Sequence, residues 1–155
     1  MTGGIVVRRS TSADAETIVR FNMAMAVETE GIALKREVIA AGVRAMFDDP
    51  SKGFYLVAEV AGSPAGQLMV TMEWSDWRDG FFWWIQSVYV RPEFRGKGVY
   101  RALHQRVRQM AKEAGGVCGF RLYVEKENTT AQATYRRLGM HETRYLMFEE
   151  PSGAP

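Results

Sequence analysis

Cysteine is nearly absent from this 155-residue chain, which has only Cys118. A lone thiol cannot close an internal disulfide, so the fold must rest on its core, and a reducing cytoplasm fits that usage. Charge of one sign is also scarce. Twenty Lys and Arg stand against eighteen Asp and Glu, a net +2, too little for the concentrated basic face that nucleic acid requires. No apolar run reaches the ~18 residues of a membrane-spanning helix. Met1-Thr2-Gly3-Gly4 lacks the basic and apolar regions of a signal peptide. The two histidines, His104 and His141, have no metal-ligand spacing, so no metal is expected. What is present is ordinary globular material, 46% hydrophobic and 25% charged, enough for one domain with a real core. Residues 1–150 read as that domain and 151–155 as a disordered tail.

The pattern alternates between strands and helices. Ile5-Val6-Val7-Arg8 reads as a first strand. Ser12 or Asp14 caps a helix carrying Ile18, Phe21, Met25 and Ala26 at helical spacing. A second helical stretch carries Leu34, Val38, Val43 and Phe47 and stops at Asp49-Pro50. Phe54–Val60 reads as a strand and Ser63-Pro64-Ala65-Gly66 as a turn. Strands follow at about Gln67–Trp77 and Phe81–Val90, with Asp79-Gly80 between them as a hairpin signal. Lys97–Ala114 is helical, with Val99, Leu103, Val107, Met110 and Ala114 on one face, and Gly115-Gly116 stops it. Cys118, Phe120, Leu122 and Val124 alternate as an inward strand face, which makes Cys118 a buried hydrophobe. His104 reads as a surface residue. Asn128 opens a short helix ending at Gly139, and Tyr145–Phe148 reads as a final strand. A central hairpin followed by helical crossovers implies a mixed sheet with helices packed on it.

The segment after Val88-Tyr89-Val90 is a recipe for an anion site. A strand ends, a glycine loop runs through Arg95-Gly96-Lys97-Gly98, and a helix begins near Val99-Tyr100. Glycines let backbone approach a ligand, and the first helical N–H groups lack intrahelical partners. The helix dipole and two cationic side chains favour negative charge there. Val99 stands where a P-loop needs Ser or Thr after Gly-Lys, and Arg101 where a dinucleotide fingerprint needs its third glycine.

Gln86-Ser87-Val88-Tyr89-Val90-Arg91-Pro92 followed by Arg95-x-x-Gly98 resembles the coenzyme motif of the GNAT superfamily of N-acetyltransferases, Arg/Gln-x-x-Gly-x-Gly/Ala. Tyr100 departs from the small final residue of that pattern. Asn128-Thr129-Thr130-Ala131…Tyr135…Leu138-Gly139-Met140 resembles the second motif of the family, and the element order agrees from near residue 5 to near 149. The resemblance implies an α/β (α+β mixed) fold, a mostly antiparallel mixed sheet splayed in the middle and flanked by about four helices. It implies acetyl-CoA as acetyl donor and direct transfer to a primary amine, borne by a small molecule or a peptide. A non-catalytic acyl-CoA-binding or regulatory module on the same fold is the alternative. Val88, Tyr89 and Val90 would line the pantetheine arm. Arg95, Gly96, Lys97, Gly98, Val99 and Tyr100 would surround the pyrophosphate. Asn128 would contact coenzyme or an ordered water, and Tyr135 would be the general acid.

Amine acetylation needs two proton transfers. The acceptor ammonium, of pKa about 10.4, must lose a proton, and the departing thiolate, of thiol pKa about 8.5, must gain one. Tyr135 can supply the second, although Ala131 and Leu138 on its helical face also suit a packing role. Candidates for the base are Glu73, Asp76, Glu28 and Glu30. A two-residue Asp79-Gly80 turn would set Glu73 opposite Gln86 and Asp76 opposite Trp83. Glu73 would then share a face with Gln86 and Val88, which ranks it first, equally balanced against an exposed strand carboxylate. Water alone can also carry the proton. Glu28, Glu30, Trp74, Asp76 and Gln86 are the candidates for holding a cationic acceptor. The cluster Trp74, Trp77, Trp83 and Trp84 also suits core packing or a homodimer contact.

Overall fold

A computed structural model describes residues 4–153. Residues 4–123 form one compact unit and residues 124–153 a second. Met1–Gly3 of the Met1–Gly4 segment, and the last two residues of the expected tail, therefore lie outside the described residues.

The first unit is a five-stranded sheet in the order β1-β2-β3-β4-β5. Its strands are β1 (Ile5–Arg9), β2 (Phe54–Val60), β3 (Ser63–Ser75), β4 (Gly80–Val90) and β5 (Val117–Arg121). The first four pair antiparallel, and β4 pairs with β5 in parallel. Helices α1 (Ala15–Glu30) and α2 (Arg36–Asp48) cover one face. Helix α3 (Val99–Ala114) covers the other. Leu56, Leu68, Val70, Ile85, Leu103 and Val107 meet on the α3 side. Tyr55, Met69, Ile18 and Val43 meet on the α1/α2 side. Alternate residues of these strands thus go to opposite cores, which is why Phe54–Ala58 of β2 and Ala65–Leu68 of β3 are continuously buried. At the start of α1 the Asp14 carboxylate accepts the Thr11 N–H at 2.8 Å and a guanidinium N–H of Arg8 at 2.8 Å.

Several local expectations are corrected. The β2–β3 turn is Ala61-Gly62, both at positive φ, with Val60 paired to Ser63. Ser63–Gly66 is already strand. The β3–β4 loop is four residues, Asp76–Asp79, because Ser75 pairs with Gly80. Asp79 takes the left-handed position at φ 46°. Gly80 serves a close approach instead, since a Cβ there would lie 3.0 Å from the Gly116 carbonyl oxygen. Glu73 consequently stands opposite Phe82, not Gln86, and Asp76 lies in the loop. On α2, Val38 is exposed while Ile39, Val43, Met46 and Phe47 face the core. The helix starts at Arg36, leaving Leu34 ahead of it.

Cys118 is exposed. Phe81 pairs with Val117 and Phe82 with Gly119, so Cys118 is an extra residue that breaks the alternation. Val117, Phe120 and Leu122 keep their contact with the α3 core. His104 is 1% exposed, a buried residue of α3 and not a surface one.

The second unit holds α4 (Thr129–Arg137). Asn128 caps it by accepting the Ala131 N–H at 3.2 Å. Tyr145–Phe148, expected as a strand, pairs with no strand among the described residues, and its four side chains are exposed. β-propensity describes fit to a half-buried pleated surface and does not by itself supply a partner.

Candidate active site

β4 and β5 stay paired only from Phe81–Val117 to Trp84–Arg121. Beyond that point, Ile85–Val90 pairs with β3 alone among the described strands. Two parallel strands therefore part toward their carboxyl ends, the location at which open α/β sheets bind ligands.

The freed part of β4 carries a bulge. Gln67 pairs with Tyr89 and Met69 with Gln86, so Ser87 and Val88 together oppose Leu68. Ser87 stands at φ 50°. Its carbonyl accepts the Nε2 of Gln67 at 3.2 Å. The bulge also changes faces. Gln86, at the α1/α2 side, donates its Nε2 to Thr71 Oγ1 at 2.6 Å. Val88 and Val90 pack on the α3 core, and the Tyr89 ring lies 5.1 Å from that of Phe21 in α1. Glu73 thus shares the face of Gln86 but not that of Val88.

The loop after β4 passes through a 3-10 turn at Pro92–Phe94 and reaches α3 through Gly96 and Gly98, at φ 72° and 86°. A Cβ on either glycine would meet nothing, so their role is to supply left-handed backbone. Gly98 is the N-cap and offers no side-chain acceptor, and the first backbone bond of α3 is Ala102 N–H to the Gly98 carbonyl. The N–H groups of Val99 and Arg101 thus have no intrahelical acceptor. This cradle of uncapped donors with a dipole behind it fits a pyrophosphate. Lys97 is exposed and its Nζ donates to the Glu93 carbonyl at 2.9 Å.

Arg95 is tied to its surroundings. Its Nε donates to the Val90 carbonyl at 2.8 Å, and its Nη2 meets Glu28 Oε2 near the end of α1 at 2.6 Å. The guanidinium also sits 5.6 Å over the Tyr89 ring. Glu28, singled out as an acceptor ligand, is therefore the ion-pair partner of Arg95. Glu30, two residues on, is exposed at the last position of α1.

Tyr100 does not crowd the cradle. Its hydroxyl lies 3.1 Å from His104 Nδ1, one turn further along α3, so the ring runs away from the uncapped end. Burial, with a smaller contribution from Arg108, pushes the His104 pKa down to about 4, which keeps the ring neutral.

The remaining hairpin candidates lie elsewhere. Glu73 Oε1 is 2.7 Å from Arg121 Nη1, whose guanidinium packs 3.5 Å over the Phe82 ring. Phe82 precedes Val88 by six residues, about 20 Å of strand. Trp74 and Phe81 form an edge-on pair with centroids 5.0 Å apart, and Trp77 is 90% exposed in the loop beside Asp76. In the second unit, burial pushes the Tyr135 hydroxyl pKa up.

Sequence reasoning missed Gln67 and the His104 role. A lone glutamine inside Gly66-Gln67-Leu68-Met69-Val70, and a histidine four residues after a tyrosine on an amphipathic helix, were the available signals.

A mixed sheet whose parallel strands part beside the start of a helix has the architecture of an α/β ligand-binding cleft. The chain belongs to the acetyltransferase (GNAT) family, whose model matches residues 19–140. It is 28% identical over 148 residues to the thialysine N-epsilon-acetyltransferase of Sus scrofa, covering 89% of this chain and 85% of that one. It is 35% identical over 91 residues to an uncharacterized N-acetyltransferase of Methanocaldococcus jannaschii, covering 58% of this chain and only 39% of that relative. A possible acetyltransferase from Clostridium difficile 630 superposes with a TM-score of 0.88 at 44% identity, over 95% of this chain and 97% of the other. An aminoglycoside N-acetyltransferase in complex with CoA shares the fold at a TM-score of 0.79 and 16% identity, over 98% and 97% of the two chains. The α/β fold with its mostly antiparallel mixed sheet, the acyltransferase class and acetyl-CoA as cosubstrate thus agree with the sequence reading.

Proposed function

We propose that this N-acetyltransferase moves the acetyl group directly to a primary amine, and that residues 1–150 act as one functional domain. The family match supports the second point because it runs across the junction of the two units. The observation that carries the reading is the conjunction of a bulged, half-paired β4 with the uncapped start of α3. Acetyl-CoA supplies an activated acyl group and a thiolate leaving group. The chain supplies the rest. Backbone N–H groups of Gly96 to Tyr100 hold the pyrophosphate, with Arg95 fixing the turn and Lys97 adding charge. Val88, Tyr89 and Val90 line the pantetheine arm, and the Val88 N–H polarises the thioester carbonyl. Asn128 starts α4, and Tyr135 donates a proton to the leaving thiolate, a role carried over from the matching family position.

Gln86 beside the bulge, with Glu30 at the end of α1, supports an acceptor side that favours a cationic amine, while the Arg95 ion pair takes up the charge of Glu28. The Arg121 ion pair and the distance along β4 support a structural role for Glu73, with water carrying the ammonium proton away. Trp74, Trp77, Phe81 and Asp76 at the hairpin end suit a contact between copies and support a homodimer. No helix among the described residues is long and apolar enough to cross a membrane, and no His, Cys, Asp and Glu group there could hold a metal. Together with the single cysteine, the first fact supports a cytoplasmic setting.

Thiol release from acetyl-CoA in the presence of polyamines, amino acids, amino sugars and peptides tests the reading. Amine-dependent release supports it. Tight acetyl-CoA binding with no release for any amine would favour the non-catalytic module.

A further inference from the structure

We infer that Gln67 is a positioning residue that holds the β4 bulge in the shape the thioester requires. The inference rests on the acetyl-transfer reading above and adds a residue to it. Gln67 is fully buried, an unusual place for a primary amide, which loses water and must recover hydrogen bonds. Its Nε2 donates to the Ser87 carbonyl, on the neighbouring strand, at 3.2 Å. The Oε1 is buried and has no hydrogen-bond partner among the described residues. A hydrophobic residue of similar volume would fill this site without that cost, so the donated bond is the feature peculiar to glutamine.

The group that Gln67 holds needs holding. Ser87 is at φ 50°, in the left-handed region that a residue with a Cβ rarely adopts, and it is not glycine. A strained conformation persists only where its surroundings fix it. Leu68 faces two residues at once, so the ladder of β3 does not fix Ser87 and Val88 in the ordinary way. β5 does not fix them either, because its pairing ended at Trp84. The Gln67 amide supplies a restraint at this gap in the ladder. The bulge decides which way Val88 presents its side chain and backbone, and Val88 is the residue whose N–H meets the thioester carbonyl in the proposed reaction. Gln67 therefore acts on the carbonyl through Ser87 and Val88 without touching the coenzyme.

CoA and acetyl-CoA differ only in the acetyl group that replaces the thiol hydrogen, so the ratio of their affinities isolates the carbonyl contact from the pantetheine and pyrophosphate contacts that both ligands make. Calorimetric titration of the parent and of Gln67→Met, which keeps the volume and loses the donor, should show acetyl-CoA binding weakened about fivefold and CoA binding unchanged, the scale of one net hydrogen bond. Adding Ser87→Gly should restore most of the difference, because glycine adopts positive φ without cost. A packing defect at position 67 would not respond to a change at 87. Ser87→Val, which opposes the bulge from β4 while leaving Gln67 intact, should reproduce the selective loss and covers the case of an unstable Gln67→Met. Equal weakening for both ligands, or no rescue by Ser87→Gly, overturns the inference. A parent chain that binds neither ligand overturns the acetyl-transfer reading instead.

Discussion

The Tyr100 hydroxyl lies 3.1 Å from Nδ1 of His104, one turn along α3 from the start of the helix. This pair explains how a bulky residue occupies a position the family keeps small. The ring is drawn down the helix toward a buried imidazole and away from the start of α3. The contact serves either neutral tautomer of His104, and burial of the ring keeps it neutral.

That neutrality has a cost in acid. The folded pKa of about 4 lies below the ordinary 6.5, so between those values the unfolded chain holds a proton the folded chain does not. Stability from this group is complete above about pH 6.5 and is lost as pH falls toward 4. Urea unfolding of the parent should lose roughly 2 kcal/mol from this group between pH 7 and pH 5. His104→Gln should lose correspondingly less over the same interval. Parallel pH dependences in the two proteins would mean that His104 charges freely in the fold.

Glu73 ends in an ion pair with Arg121, opposite Phe82. Glu73→Gln should therefore leave the shape of the kcat/KM pH profile as in the parent, with stability lowered by no more than about 1 kcal/mol for so exposed a pair. Loss of the acidic limb of the profile would return Glu73 to the role of base.

Asn128 accepts the Ala131 N–H at 3.2 Å, which accounts for its residue type without any ligand. Asn128→Ala should lower stability by about 1 kcal/mol, and Asn128→Asp should recover most of it. Turnover measured on the Asp variant separates the roles. A large loss there, with the cap intact, would show that the amide meets coenzyme or its water as well.

The elements around the candidate site were more legible in the sequence than the hairpin. Val88-Tyr89-Val90 and Arg95–Tyr100 are contiguous, so the strand, the loop and the helix start could be read in place, and α4 announced its own cap at Asn128. The Glu73 placement failed because Asp79 bears a positive φ that glycine normally takes, lengthening the loop by two residues and moving every cross-strand partner. Cys118 failed for a related reason, an extra residue in β5 that shifts the alternation. The Gln67–Ser87 bond spans twenty residues and depends on a bulge, which no local pattern encodes. The same limit hid the Glu28–Arg95 pair, 67 residues apart.

Tyr135 has the chemistry of an acid at neutral pH. Burial pushes its pKa above the usual 10, so the hydroxyl keeps its proton across the range in which the reaction would run. A group used as an acid loses function as pH rises through its pKa, and the upward shift moves that loss to more alkaline pH. Tyr135→Phe removes one oxygen and keeps the ring, so packing in α4 changes little. Turnover with a responsive amine should fall on the order of 10²-fold, the lower end for loss of a positioned acid. The CoA dissociation constant should stay within about twofold, since one peripheral hydrogen bond is the most it could contribute. Stopped assays of thiol release and calorimetry on the same preparations give both numbers. Turnover equal to the parent would pass the proton to water and leave Tyr135 as a packing residue of α4. A parallel loss of CoA affinity would make it a binding residue.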